Sequence, residues 1–458
     1  MNQFDLIIVG AGMAGLCAAV EASDRGANVA IFEKQADIGG SSLLSGCFMA
    51  FAETELQNKL GISDTTESLM NDLCVVGQFK NDKNLVKAYG KHQLSTYNWL
   101  VAHGVIFQNC QAVSGHSSPR GHTIIPSQAI QTLKNHALNN GVSLHINSPV
   151  LRLLTEQQKV VGVIYQQNGE QKECYASKGV VLTAGGFSQS EDLLGAFAPQ
   201  LEHTIRLGGE GNHGDGIKLA ASVGAWLEDF PYLKGTYGFH PSSTNQKKRQ
   251  AHAFYKGGII VNEQGKRFVN ESISYKLLGD AALQQPNQHT FQIWDQTVMD
   301  QGVEHDALYD FQLLFNEGLI IQAETLEELA EKTGLPSQSL YQTIDSYNRH
   351  LITGDDPFSR NTLTHTFGKP TPLQAGPFYA METATAMLAT YAGVRVNEDA
   401  EVLNPFGDSI KGLFAAGEMV GGFHGAGYMT GSSLGKAAIF GRIAAEQALQ
   451  IKEEEVAR

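Results

Sequence analysis

The strongest constraint on the fold lies in the first 33 residues. Phe4-Asp5-Leu6-Ile7-Ile8-Val9 is an apolar run of strand length that passes without a gap into Gly10-Ala11-Gly12-Met13-Ala14-Gly15. A helical pattern follows, Leu16-Cys17-Ala18-Ala19-Val20-Glu21-Ala22, and then a second apolar run, Asn28-Val29-Ala30-Ile31-Phe32, ending in Glu33. Strand, glycine turn, helix, strand and acid in this order give a GxGxxG spacing its meaning. Gly10 permits the tight turn, Gly12 lets the backbone approach a diphosphate, and Gly15 lets helix pack on strand. The diphosphate then meets unpaired N–H groups at the helix N-terminus. Glu33 is placed for a ribose hydroxyl pair. A structural turn would explain the glycines but not Glu33, so the unit reads as a dinucleotide site.

Two later segments repeat the idea. Val180-Val181-Leu182-Thr183-Ala184-Gly185-Gly186 is an apolar strand that empties into a small-residue turn. Gly412-Leu413-Phe414-Ala415-Ala416-Gly417-Glu418 places a carboxylate at a strand's carboxyl end, where ligands of doubly wound sheets lie. Sites spread over the whole chain make one extended groove.

With the turn Gly39-Gly40-Ser41-Ser42 and the triplet Gly214-Asp215-Gly216, these motifs resemble the flavoproteins of the fumarate reductase and succinate dehydrogenase family. That family includes soluble fumarate reductases and 3-ketosteroid dehydrogenases, and the resemblance covers nearly all of the chain. It implies FAD as cofactor and an α/β fold: a doubly wound, Rossmann-like FAD-binding domain with an inserted α+β cap domain that closes over substrate. It also implies that Glu418 binds the ribitol chain and Val150 the adenine through its backbone, with Ser432, Ser433 and Leu434 at the flavin's pyrimidine edge. Gly10, Gly12, Ala14, Gly15, Glu33, Lys34, Gly40, Ser41, Ser42, Ala184, Gly185, Asp215 and Gly417 complete the expected cofactor contacts. Membrane-bound relatives attach FAD through a histidine near the double-glycine turn. This turn runs on as Leu43-Leu44-Ser45 with no histidine, which implies non-covalent FAD.

Bulk properties exclude several alternatives. A formal net charge of −14 argues against nucleic acid or an anionic membrane as partner. The five cysteines, Cys17, Cys47, Cys74, Cys110 and Cys174, are scattered without metal-ligand spacing and read as reduced thiols. No metal site is expected. No apolar run reaches the roughly 18 residues of a membrane span. The first strand begins at Phe4, which leaves no room for a signal peptide; the expected compartment is the cytoplasm. No CxxCH haem site is present, so the expected electron donor or acceptor is a separate partner.

The strand and helix texture of residues 1–228 is that of the FAD-binding domain, first part. Within it, Val160-Val161-Gly162-Val163-Ile164-Tyr165 and Glu173-Cys174-Tyr175-Ala176 flank Asn168-Gly169 as an inserted hairpin. Residues 229–373 are richer in proline, aromatic and polar residues, with amphipathic helices at 325–332 and 337–346, and read as the substrate or cap domain. Residues 374–458 return to the strand–glycine texture and complete the FAD-binding domain. Lys452-Glu453-Glu454-Glu455 reads as a solvated helix end.

Fumarate reductases hold two carboxylates with cations and deliver a proton from arginine. By resemblance, the proton-donor arginine falls at Tyr275, a few residues after a strand Arg267-Phe268-Val269-Asn270-Glu271. The carboxylate-binding arginine falls at Tyr428 and the substrate histidine near Ala389. The glutamate and arginine that feed protons fall near Ala251 and Phe254. His240-Pro241 alone keeps its counterpart. Burying a dicarboxylate without cationic partners costs several kcal/mol per charge, so the pocket suits a less charged substrate. Tyrosines at both positions resemble the 3-ketosteroid dehydrogenases, which dehydrogenate the carbons beside a ketone. In that reading Tyr275 moves the α-proton and Tyr428 polarises the carbonyl, helped by backbone N–H groups near Gly431 and Ser432. Lys276 is a candidate to depress the Tyr275 pKa.

Other readings stay open. Tyr275 also reads as an aromatic wall, and His240 as a catalytic group or a hinge. His424 and Tyr391 are further candidates for the lining. The leading function is dehydrogenation or reduction of a CH–CH bond beside a carbonyl, in a cyclic or steroid-like ketone or enone. The alternative is a reductase of an α,β-unsaturated carboxylate that uses His240 and Arg120. A third is an FAD-binding scaffold without turnover.

Overall fold

The computed structural model describes residues 2–202, 204–364, 368–374 and 376–450. They fall into two compact units: Met1–Pro199 with Gly208–Leu233 and Ala389–Arg458, and Gln200–Leu207 with Lys234–Leu388.

The first unit is built on a sheet with strand order Glu401–Leu403, Ser409–Ala415, Glu170–Leu182, Asn2–Val9, Val29–Phe32, Ser143–His145. The strands from Ser409–Ala415 through Ser143–His145 run parallel, with Ile7 opposite Ala30 on one side and Val180 on the other. Leu6, Ile7 and Ile8 are fully buried, as expected of a parallel strand covered on both faces. The helix Met13–Asp24 is buried at every residue from Met13 to Ala22 rather than along one stripe, with Glu21 the one charged residue among them, paired with Arg25 and Arg442. It packs on the C-terminal helix Ser432–Gln450 so closely that a Cβ on Gly441 would lie 2.3 Å from the Ala14 carbonyl oxygen.

The expected hairpin pairs Lys159–Gln167 with Glu170–Leu182, and its turn residues Asn168 and Gly169 have φ of 53° and 82°. Both values are positive, as a two-residue type I′ turn requires. The hairpin is not a separate insertion, however. Its second strand runs on through Val180 and Val181 into the centre of the parallel sheet.

The second unit centres on Phe378–Met387, which pairs antiparallel with Thr236–Phe239, Thr290–Asp295 and Ile321–Ala323, and parallel with Ile205–Arg206. Ile259–Asn262 pairs in turn with Thr290–Asp295. Alternation on Ile259–Asn262 sends Ile259 and Val261 into a core with helices Leu326–Thr333 and Ser337–Thr353. Ile260 points into a second core with Tyr237, Phe254 and Leu278.

Three sequence readings change here. The second unit comprises Gln200–Leu207 and Lys234–Leu388 rather than 229–373. Phe378–Met387, read from its apolar texture as flavin sheet, belongs to the other sheet; burial along a strand does not reveal which sheet it joins. Arg267-Phe268-Val269-Asn270-Glu271 is no strand: Arg267 makes an isolated bridge to Val261, and its guanidinium donates to the buried Glu271 carboxylate at 2.7 and 2.8 Å. Lys452-Glu453-Glu454-Glu455 lies outside the described residues. No helix among the described residues is long and apolar enough to cross a membrane.

Candidate functional site

Gly10, with φ of +106°, turns the chain where a Cβ would lie 2.6 Å from the Thr183 carbonyl oxygen. The Thr183 hydroxyl donates to the carbonyls of Val9 and Gly10 at 3.0 and 2.8 Å and fixes the turn against the neighbouring strand. A Cβ on Gly15 would sit 2.0 Å from the Gly10 carbonyl oxygen, so helix and turn require glycine there. Gly12 differs. The nearest protein atom to a Cβ there is Ser42 Oγ at 3.5 Å, an ordinary contact. The protein leaves space at Gly12, on the side of the groove.

That groove lies within the first unit and is lined by Gly10, Gly12, Ala14, Glu33, Lys34, Gly40, Ser41, Ser42, Val150, Ala184, Gly185, Asp215, Gly417 and Glu418. Gly15 instead packs behind the turn, and Ser432, Ser433 and Leu434 begin the C-terminal helix, outside the groove's lining. Glu33 Oε2 accepts from Ala11 N–H and Oε1 from Gln35 N–H, both at 2.9 Å. Each carboxylate oxygen keeps a further lone pair for a ribose hydroxyl. Lys34 Nζ pairs with Asp215 at 2.5 Å. Ser42 Oγ accepts from Met13 N–H at 3.1 Å at the start of the first helix.

Asn212, which the sequence reading passed over, ties the distant segments together. Its side-chain amide donates to Ser41 Oγ at 2.8 Å and to Glu418 Oε2 at 3.2 Å. It stands two residues before the Gly214-Asp215-Gly216 triplet, and an Asn in a glycine-rich loop was the signal available. Thr390 N–H donates to Glu418 Oε1 at 3.0 Å. Burial raises the Glu418 pKa, partly offset by these bonds and by Lys436. Burial in turn pushes Lys436 down to about 8, partly offset by Glu418 and Asp229.

Tyr391 follows Thr390 with φ of 55°. The left-handed region is costly for an aromatic residue, about 1–3 kcal/mol, and such strain gathers at functional sites. The Tyr391 ring stacks on Tyr428 at 4.8 Å between centroids and 7° between planes, and His424 lies 4.6 Å from Tyr391. The Tyr428 hydroxyl accepts from Gly431 N–H at 3.3 Å and is hydrogen-bonded with Tyr391. Burial raises the Tyr428 pKa against these bonds. The Gly431 N–H expected to meet a substrate oxygen is therefore spent on Tyr428 itself.

In the second unit Tyr275 opens the helix Tyr275–Leu283 after the Ser274 cap. Its ring lies 5.4 Å from that of His252, another residue missed in the sequence. His252 lies between Ala251 and Phe254, both fully buried. Burial pushes its pKa down to about 3, against a hydrogen bond with the Tyr237 backbone, so its imidazole is neutral near pH 7. His240 Nδ1 lies 2.7 Å from Ser242 Oγ in the turn after Thr236–Phe239, and burial lowers its pKa. The Lys276 ammonium donates to Thr236 Oγ1 at 2.7 Å.

Arg120 also departs from expectation. It is fully buried and donates to Asp64 at 2.6 and 2.7 Å, to Ser68 Oγ at 2.7 Å and to Asp72. With its fork engaged by two aspartates, it is a structural centre rather than a carboxylate anchor. Breaking such a buried pair typically costs about 3–5 kcal/mol. His116 and His122, from the same loop, are buried with pKa values pushed down to about 4 and bonded to Thr430 O and Thr54 Oγ1.

A parallel sheet with a glycine turn, a ribose acid and a second carboxylate along one groove defines a flavin-dinucleotide fold. The family model described as FAD binding domain matches residues 5–434, and the chain belongs to this family of FAD-dependent oxidoreductases acting on CH–CH bonds. It is 30% identical over 464 residues to the fumarate reductase (cytochrome) of Shewanella frigidimarina, covering 99% of this chain and 78% of that one. It is 29% identical over 455 residues to the NADH:fumarate oxidoreductase of Klebsiella pneumoniae (strain 342), covering 98% of this chain but only 48% of that relative's length. Among solved structures it resembles the 3-ketosteroid-delta4-(5alpha)-dehydrogenase of Rhodococcus jostii RHA1 in complex with 4-androstene-3,17-dione. The TM-score is 0.80 and the identity 26%, covering 98% of this chain and 97% of that one.

Proposed function

We propose that the protein dehydrogenates, or in reverse reduces, the carbon–carbon bond beside a ketone carbonyl in a cyclic or steroid-like compound. The observation that carries this reading is the stacked Tyr391–Tyr428 pair at a strained backbone, standing where fumarate reductases place a carboxylate-binding arginine. Hydroxyl donors suit a neutral carbonyl oxygen, on which enolate character develops during reaction. The engagement of Arg120 by Asp64 and Asp72 takes away the cation on which the unsaturated-carboxylate alternative relied. The ketosteroid dehydrogenase fold, matched over nearly the full length of both chains, supports the same substrate class.

The groove fits FAD in the chemistry of its donors. Glu33 suits the ribose, Gly12 leaves space for the diphosphate, and Glu418, held by Asn212 and Thr390, suits the ribitol. When bound, the flavin accepts or gives the hydride. Tyr428 orients and polarises the ketone, and Tyr275 takes the α-proton or returns it. His252, neutral near pH 7, packs its ring beside Tyr275.

Anaerobic flavin bleaching by cyclic ketones, set against fumarate, succinate and malonate, tests the substrate class. The cyclic ketones should bleach the flavin, and the dicarboxylates should leave its spectrum unperturbed. Tight binding of fumarate would overturn the reading.

The flavin is held without a covalent link. Ser41, in the turn where covalent relatives carry a histidine, instead accepts from Gly209 N–H and Asn212. Acid denaturation should release all of the yellow colour into the supernatant. Colour that stays with the precipitated chain would contradict this.

A further inference from the structure

The first helix starts at the glycine turn with Met13 and ends at Asp24, about 16 Å further along its axis. There it meets His103, which caps the helix Lys83–Ala102, and His136, in the last turn of Pro126–Asn139. His103 Nε2 lies 2.8 Å from Asp24 Oδ2, and His136 Nε2 lies 2.9 Å from Oδ1. Among the described residues this is the cluster of three such side chains whose donor atoms all lie within 4.8 Å of one another.

The tautomer of His103 is fixed by its other nitrogen. Nδ1 lies 2.7 Å from the Trp99 carbonyl oxygen, which only accepts, so Nδ1 carries the hydrogen. The neutral ring then aims the Nε2 lone pair at a carboxylate oxygen. Two lone pairs do not face each other at 2.8 Å without a cation between them, either a proton or a metal ion. A backbone carbonyl on the remote nitrogen is also the usual support of a metal-ligating histidine. Asp24 has such support as well, since Asn140 Nδ2 donates to Oδ1 at 2.7 Å. The Trp99 ring lies 4.1 Å from that of His103 and holds its plane.

We propose that Asp24, His103 and His136 form a site for one divalent transition-metal ion, with zinc the best match. Two imidazoles and one carboxylate are the donor set of zinc rather than of calcium or magnesium, which prefer oxygen. Tetrahedral bonds of about 2.0–2.1 Å put donors roughly 3.3 Å apart; here the two nitrogens lie 2.8 and 2.9 Å from the two Asp24 oxygens, and all the donors lie within 4.8 Å of one another. The side chains are 31% exposed at Asp24, 13% at His103 and 35% at His136, so an ion can enter and water can fill the fourth position. The three ligands sit on three helices far apart in sequence. A bound ion would staple their ends together and hold the helix that carries the diphosphate turn.

The test uses the FAD-loaded protein, stripped of metal with a chelator and titrated with zinc chloride by calorimetry. His103→Gln, His136→Gln and Asp24→Asn are titrated beside it, with flavin content confirming that each is folded. Wild type should bind one equivalent of zinc, with a rise in the thermal midpoint. Each variant should bind at least about tenfold more weakly, since even outer-shell losses weaken metal sites 10–100-fold, and should lose that rise. If Asp24→Asn fails to hold flavin, the two histidine variants decide. No zinc binding by wild type, or equal binding by the histidine variants, would overturn the proposal.

Discussion

Tyr275→Phe is expected to slow reduction of the flavin by substrate at least about a hundredfold with little change in binding, because positioned acid–base groups are typically worth about 10²–10⁴-fold. The substitution keeps the ring against His252 and removes the one atom able to move a proton. On the proposed reading, Tyr428→Phe removes a donor to a developing oxyanion, a loss on the order of 10²–10³-fold. It should also weaken ketone binding, since that hydrogen bond exists before reaction. The stack on Tyr391 survives in the phenylalanine variant, so packing does not confuse the result. An aromatic wall behaves otherwise: both variants would run near the wild-type rate, and only alanine would do damage. Single-turnover flavin reduction separates the two. If Tyr275→Phe keeps more than about a tenth of the rate, the acid–base range is not met. The α-proton then goes elsewhere, and His240 is the next group to replace.

Gly12→Val should give soluble, folded protein without colour. The backbone at Gly12 is extended, with φ of −80° and ψ of −172°, which valine adopts freely. Protein atoms leave room for its Cβ, and the rest of the side chain occupies the space kept for the diphosphate. Steric overpacking costs about 1–3 kcal/mol, so FAD affinity should fall about 5- to 150-fold. Gly15→Val is the contrast. Its Cβ would meet the Gly10 carbonyl oxygen at 2.0 Å, so the helix cannot seat and the thermal midpoint should collapse along with the colour. Full flavin occupancy in Gly12→Val would show that the diphosphate does not lie at this turn.

Much of the first unit was legible because its signals are local. A strand, a glycine at positive φ and an acid twenty-odd residues on are fixed by covalent neighbours, and Gly10 and Glu33 stand where the pattern put them. The hairpin turn at Asn168-Gly169 is equally local. What escaped depends on partners distant in sequence. Asn212 matters through Ser41 and Glu418, 171 and 206 residues away, and no window around Asn212 reveals either. Arg120 looked available because its loop is rich in serine and glycine, yet Asp64 and Asp72 close on it from another segment. His252 went unnoticed because a histidine among apolar residues looks like any core position until its ring meets Tyr275. Phe378–Met387 was placed in the wrong sheet because its pairing with Thr290–Asp295 leaves no mark on its own composition.

The central proposal is that the enzyme serves a ketone rather than a dicarboxylate. The most direct measurement reduces the flavin anaerobically and mixes the enzyme, in a stopped-flow instrument, with a cyclic or steroidal enone or with fumarate. The enone should reoxidise the flavin in a single fast phase that slows in Tyr275→Phe, while fumarate leaves it reduced. Reoxidation by fumarate faster than by any enone would contradict the account.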